Sequence, residues 1–357
     1  MAGAVTVLAG FTVVAEVGAA GGPRTLTPTK LPELPAQGLI FESAHGVLLA
    51  TTSGRTIGEL KGFHRSPPQG PGAPSDTSTF KSQLAIEALE SADPRVIALF
   101  DGRGKGWLLD ARRRRLSRLT RVEAPLVNGA DVRIIVDGHP SSGWGTKTLI
   151  ERRGKKLLEG LSVAVIANRY AVTTYALGGR STRLLDLVTG RRFTLTGGCV
   201  AVAVLAGGGI VATCTPLSSS QSATITLVRR DGSKKLLATF PAQIEPEGAS
   251  LSPDGKWLLV YLAPNCGLGW AARLPSAGGE ARFVTGEGPV GHPSYEPPFS
   301  FGLGWTHEGA IVASVSRKQK SGCEGAPTTG TYLIDPGTLA RTQVSTMEAS
   351  ALWGSSG

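Results

Sequence analysis

Short apolar runs, each bounded by Gly, Pro, Asp or Asn, follow one another along the whole chain. Their length and their β-branched content predict short strands joined by tight turns. A 3.6-residue apolar period is nearly absent. The exception is residues 80–91, where Leu84, Ala85, Ala88 and Leu89 could make one face of a short helix. An inner strand followed by a turn is the alternative there, and the repeat described next requires it. The clearest unit is LSPDGKWLLVYL at 251–262. Pro253 presets φ for the first central turn position and Gly255 supplies the positive φ that closes the turn. A second copy, LGWTHEGAIVASV at 303–315, turns at 306–309.

Degenerate copies lie in phase with these two. They turn near Gly46, Pro94, Gly129 with Ala130, Arg169 and Gly208, so that hairpins recur every 36 to 54 residues. A second series of turns follows downstream, at Gly54, at the run Arg112 to Arg115, and at Gly154, Gly190, Gly232, Gly278 with Gly279, and Gly337. Two hairpin turns per unit imply four strands per unit, and repetition at this period points to a radial β-propeller. The expected fold is therefore all-β, with seven four-stranded blades. Six is the alternative, if the 43–46 unit merges with a neighbour. Strands 47–51, 96–100, 132–136, 171–175, 210–214, 257–262 and 311–315 should occupy equivalent positions, and the apolar tail at 350–353 should add to a terminal blade and hide its edge. A chain of 357 residues suits this plan, because each blade repeats a small core.

The ends and the cysteines bear on compartment. Residues 1–22 carry one charge, Glu16, and the apolar run VTVLAGFTVVAEV, with small residues at Val17 and Ala19 in signal-peptidase spacing. A basic n-region is missing, so an ordinary hydrophobic strand is the alternative. The run is short for a bilayer, which needs about 20 apolar residues, so no stable transmembrane span is expected. Residues 23–37 form a Pro-rich linker, and 38–357 the propeller domain. Cys199 and Cys214 flank the turn at 207–209 nearly symmetrically, and Cys266 and Cys323 fall in corresponding loops of consecutive units. This register predicts the disulfides Cys199–Cys214 and Cys266–Cys323, with four buried thiols as the alternative. Without CxxC or neighbouring histidines, zinc is not indicated. A secreted, periplasmic or cell-envelope location follows.

The run Ser252-Pro-Asp-Gly-Lys-Trp-Leu-Leu-Val260 resembles the repeat of TolB-like, WD-type propellers of bacterial envelopes, which also occur beside prolyl-oligopeptidase-type peptidases. The resemblance is specific over 250–261, fair over 304–315 and weak elsewhere. It implies that Asp254 and Gly255 are turn residues and not a site. The other turns have lost this Asp, the blade count exceeds the usual six, and no peptidase domain follows Gly357.

Motifs that carry chemistry are mostly absent. There is no Gly-x-Ser-x-Gly elbow and no His-Glu-x-x-His. The five histidines are scattered, and His307 is expected as a polar turn residue. The Gly-rich stretches at 138–148 and 101–106 lack the junction of a phosphate loop and the alternating oxygen ligands of a calcium loop, respectively. Asp137, Asp186, Asp231, Asp254 and Asp335 are placed at turns and expected to be structural, while Trp144, Trp270 and Trp305 lie near inferred loop or strand ends. No catalytic residue, metal or cofactor is assigned.

The chain is +10 overall, and residues 101–160 hold 14 Lys and Arg against 7 Asp and Glu. Arg112, Arg113, Arg114, Arg115, Arg118 and Arg121 are the core of this excess. An exposed outer hairpin kept soluble by charge is one reading, and an anion-binding flank is the other. The functional expectation is a monomeric, non-catalytic interaction scaffold for an unknown protein or an acidic envelope polymer. Nucleic acid is disfavoured, because aromatic residues are not interleaved with the basic ones. The rival class is a hydrolase or lyase whose site gathers residues from several blades in the central funnel.

Overall fold

The computed structural model describes residues 23–43, 46–63, 87–90, 95–100, 106–119, 122–126, 132–137, 147–152, 154–160, 162–166, 169–174, 181–196, 198–214, 222–241, 244–264, 269–285, 300–316 and 328–354. Among these the fold is all-β, with seven four-stranded antiparallel sheets. The first sheet holds β1 (Gly38–Glu42), β2 (Gly46–Thr51) and β3 (Thr56–Lys61). The next two hold β4 (Glu87–Glu90), β5 (Val96–Phe100), β6 (Gly106–Asp110) and β7 (Arg115–Leu119), then β8 (Val122–Leu126), β9 (Val132–Asp137), β10 (Lys147–Arg152) and β11 (Lys155–Gly160). The fourth runs β12 (Ser162–Ile166), β13 (Tyr170–Thr174), β14 (Ser181–Asp186) and β15 (Arg192–Thr196). The fifth has β16 (Cys199–Val204), β17 (Ile210–Cys214), β18 (Ala223–Val228) and β19 (Lys234–Phe240). The sixth comprises β20 (Ile244–Leu251), β21 (Trp257–Pro264), β22 (Trp270–Pro275) and β23 (Arg282–Phe283). The last comprises β24 (Ser300–Trp305), β25 (Ile311–Ser316), β26 (Thr328–Ile334) and β27 (Arg341–Ser345), and the chain ends in β28 (Ala349–Trp353).

Sequential strands pair as neighbours within each sheet, an arrangement consistent with a β-propeller. The tail behaves as expected: β28 joins the first sheet, antiparallel to β1, and so ties the two ends of the chain together. That pairing also corrects one sequence expectation. β2 is the third strand of its sheet, because β28 supplies the first, whereas β5, β9, β13, β17, β21 and β25 are second in theirs. The landmark near Gly46 is thus out of phase with the other six. In the 80–91 segment, residues 87–90 form strand β4, and residues 80–86 lie outside the described part.

The cores sit between consecutive sheets. Leu258, Val260 and Ala272 of the sixth sheet pack with Val211 and Ile225 of the fifth, and Leu259 and Ala271, on the opposite face, pack with Trp305, Ile311 and Ala313 of the last. This two-faced burial is why β21 reads as a continuous apolar run rather than an alternating one. Val312 and Leu333 of the last sheet meet Leu39, Phe41 and Leu352 of the first. Trp270 and Trp305 do lie at strand ends, the first residue of β22 and the last of β24, and both are also core residues, 2% and 0% exposed.

Residues 23–37 run along the outer strands of the first two sheets. Leu26 N–H donates to Glu59 O, Glu59 N–H to Arg24 O, Leu31 N–H to Arg114 O and Leu116 N–H to Pro28 O, and Leu26 and Leu31 are buried. At the end of this segment Gln37 is buried between three strand ends. Its Nε2 donates to Trp305 O (3.1 Å) and Gly354 O (2.7 Å), and its Oε1 accepts from His307 N–H (2.8 Å). Two acceptors on one side and a donor on the other fix the amide orientation.

Carboxylates that end third strands recur as turn caps. Asp110 accepts from Arg113 N–H, Asp186 from Val188 and Thr189 N–H, and Asp335 from Thr338 N–H. Asp186 is buried and also takes the guanidinium of Arg169, at 2.7 Å from Nη2. Burial alone would raise its pKa. Arg169 and the two N–H groups outweigh burial and hold the carboxyl well below the usual carboxylate range. Because the folded pKa is depressed, the stability that Asp186 contributes is present above the unfolded value of about 3.9 and is lost as pH falls toward the folded one. Asp186→Asn is therefore expected to flatten the acid limb of the melting temperature against pH below about pH 4. Parallel wild-type and variant acid limbs would show that the pair is not linked to folding.

Among the described residues, Cys199 and Cys214 are disulfide-bonded, facing each other in register with Cα atoms 4.0 Å apart. Cys266 and Cys323 lie outside the described residues, as do residues 1–22 and Trp144. No helix among the described residues is long and apolar enough to cross a membrane.

Candidate functional site

Three turns converge where the sixth and last sheets meet. The β20–β21 turn brings Pro253 and Asp254, the β24–β25 turn brings His307 and Glu308, and the β26–β27 turn brings Asp335 and Pro336. With Trp257 of β21 and Thr342 of β27 they line a cleft of about 430 Å³. Each turn is locally determined. Ser252 Oγ donates to Asp254 Oδ1 (2.7 Å) and accepts from Trp257 N–H (2.9 Å), and Gly255 takes φ 72°. In the second turn Ala310 N–H donates to Thr306 Oγ1, and Gln37 anchors the backbone of His307. In the third, Thr338 N–H and hydroxyl both donate to Asp335 Oδ1, at 2.6 and 2.8 Å.

These bonds set the charge of the cleft. The Ser252 hydroxyl, then Lys256, hold the Asp254 carboxyl down to about 2. The Thr338 N–H and hydroxyl lower that of Asp335. Both are ionised at neutral pH, so each accepts hydrogen bonds and neither serves as a general acid. Behind the cleft, the Arg273 guanidinium lies over the Trp257 ring at 4.2 Å and donates to Gly337 O. Burial, then the charge of Arg282, lowers its pKa, against the opposing pull of Glu280 and Asp335. Arg273 thus pins one face of the indole and bridges to the third turn. No group of three or more His, Cys, Asp or Glu among the described residues is placed to hold a metal ion.

The residues singled out in the sequence fall elsewhere. Arg112, Arg113 and Arg114 form the β6–β7 turn, and Arg115 and Arg118 lie on β7, the outer edge of its sheet, all exposed. Arg121 lies outside the described residues. By sequence alone His307, Asp254 and Asp335 are isolated turn residues, and nothing there marks Glu308 or Arg273. Only the matching turn positions of the repeat carried any hint that they meet.

No protein-family model matches the sequence, and no curated protein matches it. Solved structures of similar shape include an oligogalacturonate lyase from Vibrio parahaemolyticus, 11% identical over 74% of this chain and 79% of that one, with a TM-score of 0.41. They also include the dihydro-heme d1 dehydrogenase NirN, 12% identical over 92% of this chain and 78% of that one, with a TM-score of 0.46. A third is the β-propeller domain of a Myceliophteria thermophila protein, 11% identical over 72% and 85%, with a TM-score of 0.42. At these values the likeness transfers neither substrate nor cofactor. The chains of similar shape thus include a lyase and a dehydrogenase, which runs against the expectation of a non-catalytic scaffold without assigning either activity to this chain. The expectation had rested on missing linear motifs. A site assembled from separate turns needs none, as the cleft described above illustrates.

Proposed function

We propose that the chain is an exported, seven-bladed β-propeller of TolB-like repeat type that cleaves a glycan, as a hydrolase or lyase, in the cleft between its last two blades. One observation carries the enzymatic reading: a single cleft gathers a histidine, three carboxylates and an aromatic ring. The ring count is supported by seven sheets and by the pairing of β28 with β1. Export is supported by the disulfide.

In this reading the part of the Trp257 ring that lines the cleft meets the apolar side of a sugar, and the ionised Asp254 and Asp335 accept hydrogen bonds from hydroxyls. His307 is the proton-transfer group, with Glu308 beside it on the same turn. The acidic lining suits a neutral sugar ring at the point of cleavage.

His307→Ala is expected to lower kcat/KM on the preferred oligosaccharide by about 100-fold or more, whereas Asp335→Asn should chiefly raise KM. Neutral and uronate oligosaccharides are the substrates to screen, with new reducing ends reporting hydrolysis and ultraviolet-absorbing unsaturated ends reporting elimination. Turnover that survives His307→Ala unchanged would place the chemistry elsewhere.

A further inference from the structure

The arginine-rich edge lies on the second sheet, away from the three turns that build the cleft. Arg112, Arg113, Arg114, Arg115 and Arg118 are all exposed there. Arg113 reaches Asp110 and Arg114 reaches Glu33, each at 3.6 Å. No ion pair involving Arg112, Arg115 or Arg118 occurs among the described residues.

Arg114 occupies a position where arginine is the costly choice. It adopts φ 54°, in the left-handed region that a Cβ disfavours. In the corresponding turns between third and fourth strands, five other sheets place glycine in that region, at Gly54, Gly154, Gly190, Gly232 and Gly278. The last sheet also departs from glycine, with Leu339 at φ 62° in the β26–β27 turn, so of the two exceptions the β6–β7 turn is the one that carries a cation. Packing does not explain the side chain, which is 52% exposed. Its backbone carbonyl accepts from Leu31 N–H, and its side chain has the exposed Glu33 as its ion-pair partner.

We infer that the β6–β7 turn and strand β7 form a docking rim for a linear polycarboxylate, an acidic glycan. Three features select that partner. The rim's arginines already engage carboxylates, those of Asp110 and Glu33, which a ligand carboxylate can replace at the exposed Glu33. The guanidinium fork matches a carboxylate bidentately. Arg115 and Arg118, an odd number of residues apart on one strand, project to opposite sides of the edge. The backbone of this edge already pairs with residues 28–31, so an extended chain would run over the side chains on its flanks, whereas a flat bilayer meets one plane.

Polygalacturonate immobilised on a resin is the probe. The wild-type protein should be retained at 0.1 M salt and released at 1 M, as the Debye length shrinks from ~10 Å to ~3 Å. Arg112→Ser with Arg115→Ser and Arg118→Ser should weaken binding about tenfold or more. Arg114→Gly should weaken it as well, without lowering the melting temperature, and this combination separates a ligand role from a structural one. Arg191→Ser with Arg192→Ser and Arg230→Ser removes the same charge elsewhere and should leave retention intact. Absent retention of the wild type, equal loss in that control, or stronger binding to phosphatidylglycerol vesicles or polyphosphate would overturn the assignment. The measurement reads binding alone, so it stands or falls separately from the glycan-cleaving reading of the cleft.

Discussion

Trp353→Ala is expected to cost about 4 kcal/mol of stability, the middle of the range for removing a buried aromatic side chain. Trp353 is completely buried and ends β28, the strand that joins the C-terminus to the N-terminal β1. Its indole lies where a Cβ on Gly38 would stand, and its Nε1 donates to Pro35 O at 3.1 Å. The ring therefore fills a space that the backbone of β1 leaves open by having glycine there. Truncation forfeits the transfer energy of the indole, leaves a cavity against β1, and strands the Pro35 carbonyl. It also loosens the pairing that tethers both chain ends, while Gln37 beside it holds Gly354 O and His307 N–H. The loss should appear in equilibrium urea unfolding and as earlier proteolytic trimming of the C-terminus. A loss below about 1 kcal/mol, the size of an ordinary substitution, would mean that β28 does not hold the ends together. Gly38→Ala is the companion test, since its added Cβ meets the same ring.

That closure also marks the limit of what could be read in the sequence. Turn chemistry is local, and so the Ser-Pro-Asp-Gly hairpin at 252–255 and the Gly-closed second turns were legible residue by residue. So was the apolar character of 350–353. The displacement of the first landmark was not. It arises because a strand some 300 residues away takes the first place in the opening sheet, which no local pattern encodes. The cleft was hidden for the same reason. Asp254, His307 and Asp335 each satisfy the grammar of a turn, and their hydrogen bonds to Ser252 and Thr338 are those of structural caps. Their convergence depends on how the sixth and last sheets pack. Gln37 was hidden at the end of a polar, Pro-rich stretch, although it links β24, the following turn and the chain's last described residue. The Cys199–Cys214 pair was legible because both partners belong to one hairpin, so counting from the turn suffices.

Loss of that disulfide is expected to lower stability by about 3 kcal/mol, the chain-entropy value for a loop of roughly 15 residues. The bridge spans 15 residues and joins the facing ends of β16 and β17 in the register Cys199↔Cys214. Both strands contribute to the interfaces with the neighbouring sheets, through Ala201 and Ala212 on one side and Val202, Ala203 and Val211 on the other. Opening the hairpin therefore exposes two cores rather than one edge. The contribution can be assigned to the covalent link by comparing three samples: oxidised wild type, reduced wild type, and the Cys199→Ala, Cys214→Ala double variant. The reduced protein and the double variant should agree within a fraction of the total effect, and both should fall below the oxidised form. If instead the double variant alone is destabilised, the buried Cys199 side chain acts through packing, at the about 1 kcal/mol expected of a small core truncation. If reduction changes nothing, the bridge adds no constraint beyond the hydrogen bonds that already close this hairpin.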